Sequence, residues 1–374
     1  MSYPSFGPAD PLSREELAAT VTSVRPDWRL VDAEPVAEAS DIVYRVTVAT
    51  GDGGSEHSAP EREAVLKCFR TAEALSFRTH ERFLVEVDLL ELVGRETDLP
   101  VPRVYGVRES HEELPAPAFL MERMPGESAV SVPIGEDAEP SADRFLRESG
   151  RALAQIHDLR TFDSFGDLVA NPDAPRGDDD GATVADRIAV VDGRDSWADR
   201  LRDIVTAALA DLDERFADLE SPLREYTDER FDALELEAEP ALLHGDYRPG
   251  NVLADPESGE LTAVLDWGAA QAGDPRYELA WVTREFSKQA PPDSPVRRRV
   301  RETLLDAYES ERSAASDGEA VFDHGAAFER RQRFYLAVTW IAELGSFDLW
   351  WAGADESVRA ARTQRLRENV KSLF

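Results

Sequence analysis

"LLHGDYRPGNVLADPESGELTAVLDWGAA" (Leu242–Ala270) crowds His244, Asp246, Asn251 and Asp266 into one short stretch. Its apolar segments "ALLHGD", "GNVLAD" and "ELTAVLDW" read as three short strands, separated by a polar turn and by the Gly-containing turn "DPESGE". Hairpin geometry is expected to fold all three together. Asp246, Asn251 and Asp266 would then project from loop or strand ends toward one point, where two carboxylates and an amide oxygen suit a hard divalent cation such as Mg²⁺. Phosphoryl transfer needs such a point, because it relies on metal ions bridging phosphate oxygens and on a carboxylate that receives the proton of the attacking hydroxyl.

Outward from this stretch the chain changes character. Ser13 and Glu16 in "SREELAATVTSV" have capping-box spacing and predict a short first helix. The β-branched runs "DIVYRVTVAT" and "REAVLKCFR" flank the turn-rich "GDGGSEHSAP" and predict an antiparallel hairpin. Helical spacing of Leu75, Phe83, Val87, Leu90 and Val93 predicts one long helix over 71–94, and "PRVYGVRE" and "AFLMERM" predict two more strands. Beyond "MPGE" the pattern is mainly helical, at 142–159, at 196–219 and after Arg276, with "NPDAPRGDDDGA" as a surface loop. The expectation is an α+β chain: a small antiparallel β lobe over 1–124, then a larger helical lobe over 125–374. A cleft between lobes would face the opening stretch.

"HGDYRPGN" followed by "LDW" resembles the aminoglycoside phosphotransferase and choline kinase-like family, a branch of the protein-kinase-like fold. The resemblance covers about residues 30–290 and is tightest at 242–280. It implies that Asp246 is the base for an acceptor hydroxyl, that Asn251 and Asp266 hold Mg²⁺, and that His244 braces the loop. Arg248 stands where protein kinases carry a lysine and is expected to offset γ-phosphate charge. "GDPRYELAWV" resembles the family's Gly-Asp-Pro segment, in which Asp274 anchors a helix start; Glu278 stands where the family usually has Asp. Upstream, Lys67 in "AVLKCF" matches the lysine that pairs the nucleotide α- and β-phosphates and is itself held by a helix glutamate. Glu86 is the first choice for that glutamate, with Glu81 and Glu91 as competitors. "FLMERMPGE" resembles the hinge, where backbone groups around Glu122 and Met124 would bind adenine. The family's Gly-containing phosphate loop is replaced by "EASDIVYRV", so Ser40 and nearby amides are expected to cover the phosphates. The implied cofactors are Mg²⁺ and ATP, or another nucleoside triphosphate, and the implied partner is a small molecule bearing a hydroxyl.

Composition narrows the alternatives. Acidic residues number 75 against 42 basic, a net charge of −33, which repels nucleic-acid phosphate. Only Lys67, Lys288 and Lys371 are lysine, leaving 39 arginines, a balance that resembles a salt-loving archaeal proteome. The apolar run "FYLAVTWIA" is far shorter than the roughly 20 residues of a membrane span, and the first residues lack a signal-peptide pattern. A cytoplasmic monomer or homodimer is expected. Cys68 reads as packing, and His157 as a satisfied buried histidine. Two other classes stay open: a kinase-like module that binds nucleotide without catalysis, and a metal-dependent phosphohydrolase with water as acceptor.

Overall fold

The computed structural model describes residues 11–36, 41–51, 60–69, 79–137, 139–174, 176, 183–315, 322, 325–351 and 353–373. Two compact units emerge. One runs to Pro125 and includes Val169–Ala189; the other comprises Gly126–Leu168 and Val190–Phe374. The chain therefore leaves the second unit and returns to it, where the sequence placed one boundary near residue 124.

The first unit begins with α1 (Arg14–Val24), whose Ser13/Glu16 capping box forms as the spacing predicts. Strands β1 (Trp28–Pro35), β2 (Ile42–Thr50) and β3 (Glu61–Cys68) follow, then α2 (His80–Glu96), β4 (Val104–Arg108) and β5 (Ala118–Glu122). They form one antiparallel sheet in the order β1-β2-β3-β5-β4. Alternation along β2 and β3 sends Tyr44, Val46, Val48, Ala64, Leu66 and Cys68 into a core closed by Leu17, Val21 and Val24 of α1. Strand β1 was not legible as a strand, because its stretch "WRLVDAEP" carries charge on both faces; its pairing partner, β2, makes it one. The long helix expected over 71–94 begins at His80 among the described residues, with Thr79 capping it. Leu75 and Ser40 lie outside the described residues.

The second unit contains β6 (Glu127–Ser128), α3 (Pro140–Leu159), β7 (Phe165–Ala170), β8 (Ile188–Arg194), α4 (Trp197–Ala210), α5 (Glu220–Ala233) and β9 (Ala241–Leu243). It continues with β10 (Val252–Ala254), β11 (Leu261–Val264), β12 (Gln271–Gly273), α6 (Pro275–Ser287), α7 (Pro295–Ala315), α8 (Ala326–Gly345), α9 (Phe347–Trp351) and α10 (Glu356–Lys371). Strands β7 and β8 each straddle a boundary between the units. Helix α4 stops at Ala210, and Glu214–Leu219 forms a 3-10 turn, so the helix expected over 196–219 is two elements. The three strands around the polar stretch also divide. β10 and β11 form the expected hairpin, with β6 on the outer edge of β10, whereas β9 pairs with β12 in a four-stranded sheet with β7 and β8. The reason is Gly245, whose φ of +79° turns the chain out of β9. Any Cβ there would collide with the backbone carbonyl of Ala269.

The C-terminal helices, which carry no sequence motif, enclose a buried charge cluster. Arg284 and Glu285 of α6, Lys288 at its end, Glu343 of α8 and Arg362 of α10 are all buried and joined by ion pairs of 2.6–3.2 Å. Burial alone would push the Glu343 carboxyl up, but Lys288, Arg284 and Arg362 hold it well below its ordinary range.

Candidate active site

In the second unit, the stretch from His244 to Asn251 is a loop that bonds to itself. Arg248 N–H donates to Asp246 O, and Asn251 N–H to Arg248 O, each at 2.9 Å. The Asn251 side-chain amide donates to Asp246 O at 3.0 Å and to Asp246 Oδ2 at 2.7 Å. Arg248 Nε donates to the same Oδ2 at 3.0 Å. One carboxylate is thus aimed by an amide and a guanidinium, and its side chain stays 28% exposed. Burial of the group pushes its pKa up to about 6; Arg248 pulls it down and Asp266 adds to the rise.

Asp266 reaches the same end of the β10–β11 hairpin, because Leu265 N–H donates to Asn251 O at 2.8 Å. His244 ties the two loops. It accepts from Asp246 N–H at Nδ1, 3.2 Å away, and its Nε2 donates to Leu265 O at 3.0 Å. This pattern needs a neutral ring, and burial supplies one by lowering the imidazole pKa. Asp266 itself adopts φ 62°, ψ 68°, a left-handed conformation that Asp tolerates better than most residues. The next residue, Trp267, is buried with its ring 4.6 Å from that of His244.

The donor set fits Mg²⁺. Asn251 commits Nδ2 to Asp246, which leaves Oδ1 as the side-chain atom for a cation, and Asp266 adds a carboxylate. Two hard oxygens suit an ion that usually takes one or two carboxylates and completes its shell with waters and substrate phosphates.

The sequence assigned Glu278 no part in bracing this loop. Glu278 is buried and accepts from His244 N–H at 3.1 Å and from Gly245 N–H at 2.6 Å. Its Oε2 also lies 2.9 Å from His157 Nε2, and His157 Nδ1 lies 3.0 Å from the Tyr308 hydroxyl. Burial favours the neutral acid, yet the bonds from His157 and Gly245 keep the Glu278 carboxyl below its ordinary range. The available signal was its position four residues past Asp274, one turn into a helix. Asp274 caps α6, accepting from Arg276 N–H at 2.9 Å and from the Tyr335 hydroxyl at 2.6 Å.

In the first unit, Lys67 is 5% exposed, and its ammonium lies 2.6 Å from Glu86 Oε2 and 3.4 Å from Asp41 Oδ2. Of the three helix glutamates considered, Glu86 is the one that meets it. Asp41 carried no sequence signal. Glu122 N–H is already engaged by Arg103 O at 2.8 Å, and Met124 follows β5 as a half-buried residue. Cys68, on the opposite face of β3 from Lys67, is buried, and that burial pushes its thiol up to about 12.

The profile of the Phosphotransferase enzyme family matches residues 33–318. The chain belongs to this family. It is 30% identical over 189 residues to the Hygromycin-B 4-O-kinase of Escherichia coli, a match covering 49% of this chain and 47% of the relative. It is 27% identical over 190 residues to mouse Acyl-CoA dehydrogenase family member 10, a match covering 49% of this chain and 15% of that protein. The GDP complex of aminoglycoside 2'-phosphotransferase-IIIa aligns with a TM-score of 0.59 at 13% identity, covering 97% of this chain and 100% of that one. A thermostable mutant of aminoglycoside phosphotransferase APH(4)-Ia, in complex with AMP-PNP and hygromycin B, aligns with a TM-score of 0.53 at 17% identity, covering 96% and 98%. The fold of the chain is the protein-kinase-like fold of these structures, with antiparallel sheets and a predominantly helical second unit.

Proposed function

We propose that this phosphotransferase moves the γ-phosphoryl group of a nucleoside triphosphate, ATP or GTP, onto a hydroxyl of a small molecule. The observation that carries the reading is the Asp246 carboxylate, held by Asn251 and Arg248 with Asp266 on the adjoining loop. Asp246 Oδ accepts the proton of the acceptor hydroxyl as its oxygen bonds to phosphorus and the β–γ bridging bond breaks, releasing nucleoside diphosphate. A group with a pKa near 6 is ionised at neutral pH and still basic enough to take that proton. Asn251 Oδ1 and the Asp266 carboxylate would hold Mg²⁺, which would offset phosphate charge when bound. Arg248 balances negative charge beside the base. His244 and Glu278 fix the loop without meeting the reactants. Lys67, held by Glu86, takes the α- and β-phosphates, and the backbone at Glu122 and Met124 takes the base.

The complexes of the structural relatives with GDP and with AMP-PNP support both nucleotides as candidates. The bacterial relative makes hygromycin B and other hydroxyl-rich amines the first acceptors to test. The test compares wild type with Asp246→Asn, using Mg-ATP and Mg-GTP against an acceptor panel with labelled γ-phosphate. Transfer in wild type that disappears in Asp246→Asn, while nucleotide still binds, supports the assignment. Full transfer by Asp246→Asn would show that Asp246 is not the base.

A further inference from the structure

Helix α2 is gripped from two sides. Glu86 meets Lys67 of β3 on one face. Asp88 lies about 200° further round the helix, and Glu91, three residues on, shares its face. That far face is met by Val169–Ala189, which belongs to the same compact unit. Arg176 forms a two-pronged pair with Asp88, Nε to Oδ1 at 2.9 Å and Nη2 to Oδ2 at 2.5 Å, and its Nη1 donates to Glu109, just past β4, at 2.9 Å. Arg187 Nη1 donates to Glu91 Oε2 at 3.0 Å. The Asp88 side chain is 0% exposed and that of Arg176 11%.

The described stretch Thr183–Arg187, which carries the second arginine, is itself pinned. Thr183 and Asp186 form a capping box on the 3-10 turn Val184–Arg187, Val184 is buried, and the turn packs on α2. Asn171 closes the segment, with Nδ2 donating to Asp186 O at 2.9 Å and N–H to Arg187 O at 2.7 Å. Two parallel bonds between a planar guanidinium and a carboxylate fix orientation as well as distance. A buried carboxylate that loses its cation becomes an uncompensated charge, so Asp88 ties the position of α2 to Arg176.

We propose that Arg176 and Arg187 are positioning residues for the nucleotide site. By anchoring the far face of α2 they set the reach of Glu86 to Lys67, so that Val169–Ala189 governs nucleotide affinity through the helix. If α2 drifted outward, Asp41, 3.4 Å from the ammonium, would compete for Lys67 and draw it from its working position. This inference rests on the reading of Lys67 and Glu86 as the nucleotide pair.

The experiment measures Mg-ATP and Mg-GTP affinity by calorimetry for wild type, Lys67→Ala, Arg176→Gln, Arg176→Lys and Arg187→Gln, with hydrogen exchange of the α2 and α3 amides in each. Arg176→Gln is expected to weaken nucleotide binding about tenfold and to speed exchange in α2 but not in α3. Arg176→Lys, which keeps the charge beside Asp88 but not the two-pronged geometry, is expected to recover only part of the affinity; a general folding defect would instead speed exchange in α3 as well. Wild-type affinity and unchanged α2 exchange in Arg176→Gln, alongside lost binding in Lys67→Ala, would overturn the positioning role alone. Equal binding by wild type and Lys67→Ala, or no binding by wild type, would overturn the nucleotide reading beneath it. If Arg176→Gln does not fold, Arg187→Gln decides by the same readouts, since Glu91 keeps Arg95 as a second partner.

Discussion

The side-chain amide of Asn251 donates to the carboxylate of Asp246 at 2.7 Å. The residue assigned to the cation therefore also aims the residue assigned to the proton. Asn251→Leu should remove both functions, lowering kcat by about 10²-fold or more and weakening the Mg²⁺ dependence. Asn251→Asp keeps an oxygen for the metal but sets a like charge against Asp246, which raises the base's pKa. A titration of rate against Mg²⁺ separates the two variants; equal loss and equal Mg²⁺ dependence in both would show that the Asn251 side-chain oxygen does not hold the metal.

Arg248 acts on the same carboxylate with the opposite sign to burial. Activity requires ionised Asp246, so kcat/KM should fall as pH drops through about 6. Arg248→Met removes the cation that pulls this pKa down, and the acid limb should move to higher pH. A limb that stays in place would mean that another group titrates.

Asp266→Asn tests the metal site without any acceptor. A ligand at 100 times its Kd stabilises the native state by about 2.7 kcal/mol. The unfolding midpoint of wild type should rise with Mg-nucleotide, need Mg²⁺ to do so, and rise much less in Asp266→Asn. A full rise in the variant would remove Asp266 from the metal site.

Glu278 links pH to stability. Its folded pKa lies below the ordinary value of 4.5, so its contribution is complete above that pH and is lost as pH falls through the lower folded value. Glu278→Gln should cost about 1–3 kcal/mol, because the amide cannot accept from both loop N–H groups and His157 as the carboxylate does. Denaturant melts at pH 7 and pH 4 should show the wild-type advantage shrinking at the lower pH.

Net charge predicts a salt response of definite sign. At −33 the folded chain repels itself, and the Debye length falls from about 10 Å at 0.1 M to about 3 Å at 1 M salt. Many ion pairs are screened as well, but exposed pairs contribute little each, so self-repulsion dominates. The midpoint should rise between about 0.1 M and 1 M KCl, and a fall would show that the surface pairs outweigh it.

Local chemistry made much of this protein legible from its residues alone. The Ser13/Glu16 cap, the β2–β3 alternation, the β10–β11 hairpin and the spacing from His244 to Asp266 depend on neighbours in the chain, so the order of residues suffices to specify them. Other features needed contacts between distant segments. Periodicity could not choose among Glu81, Glu86 and Glu91, because they lie at different angles on α2 and only packing against β3 selects one. Nothing in "ALLHGD" says that β9 leaves the hairpin for β12; the close approach of Gly245 to Ala269 decides it. The stretch "NPDAPRGDDDGA" read as a loop, and only the fold brings its Arg176 to Asp88, 88 positions away. Buried charges behave in this way generally: a lone ionised group is costly inside a protein, so its place is set by the partner that tertiary structure supplies.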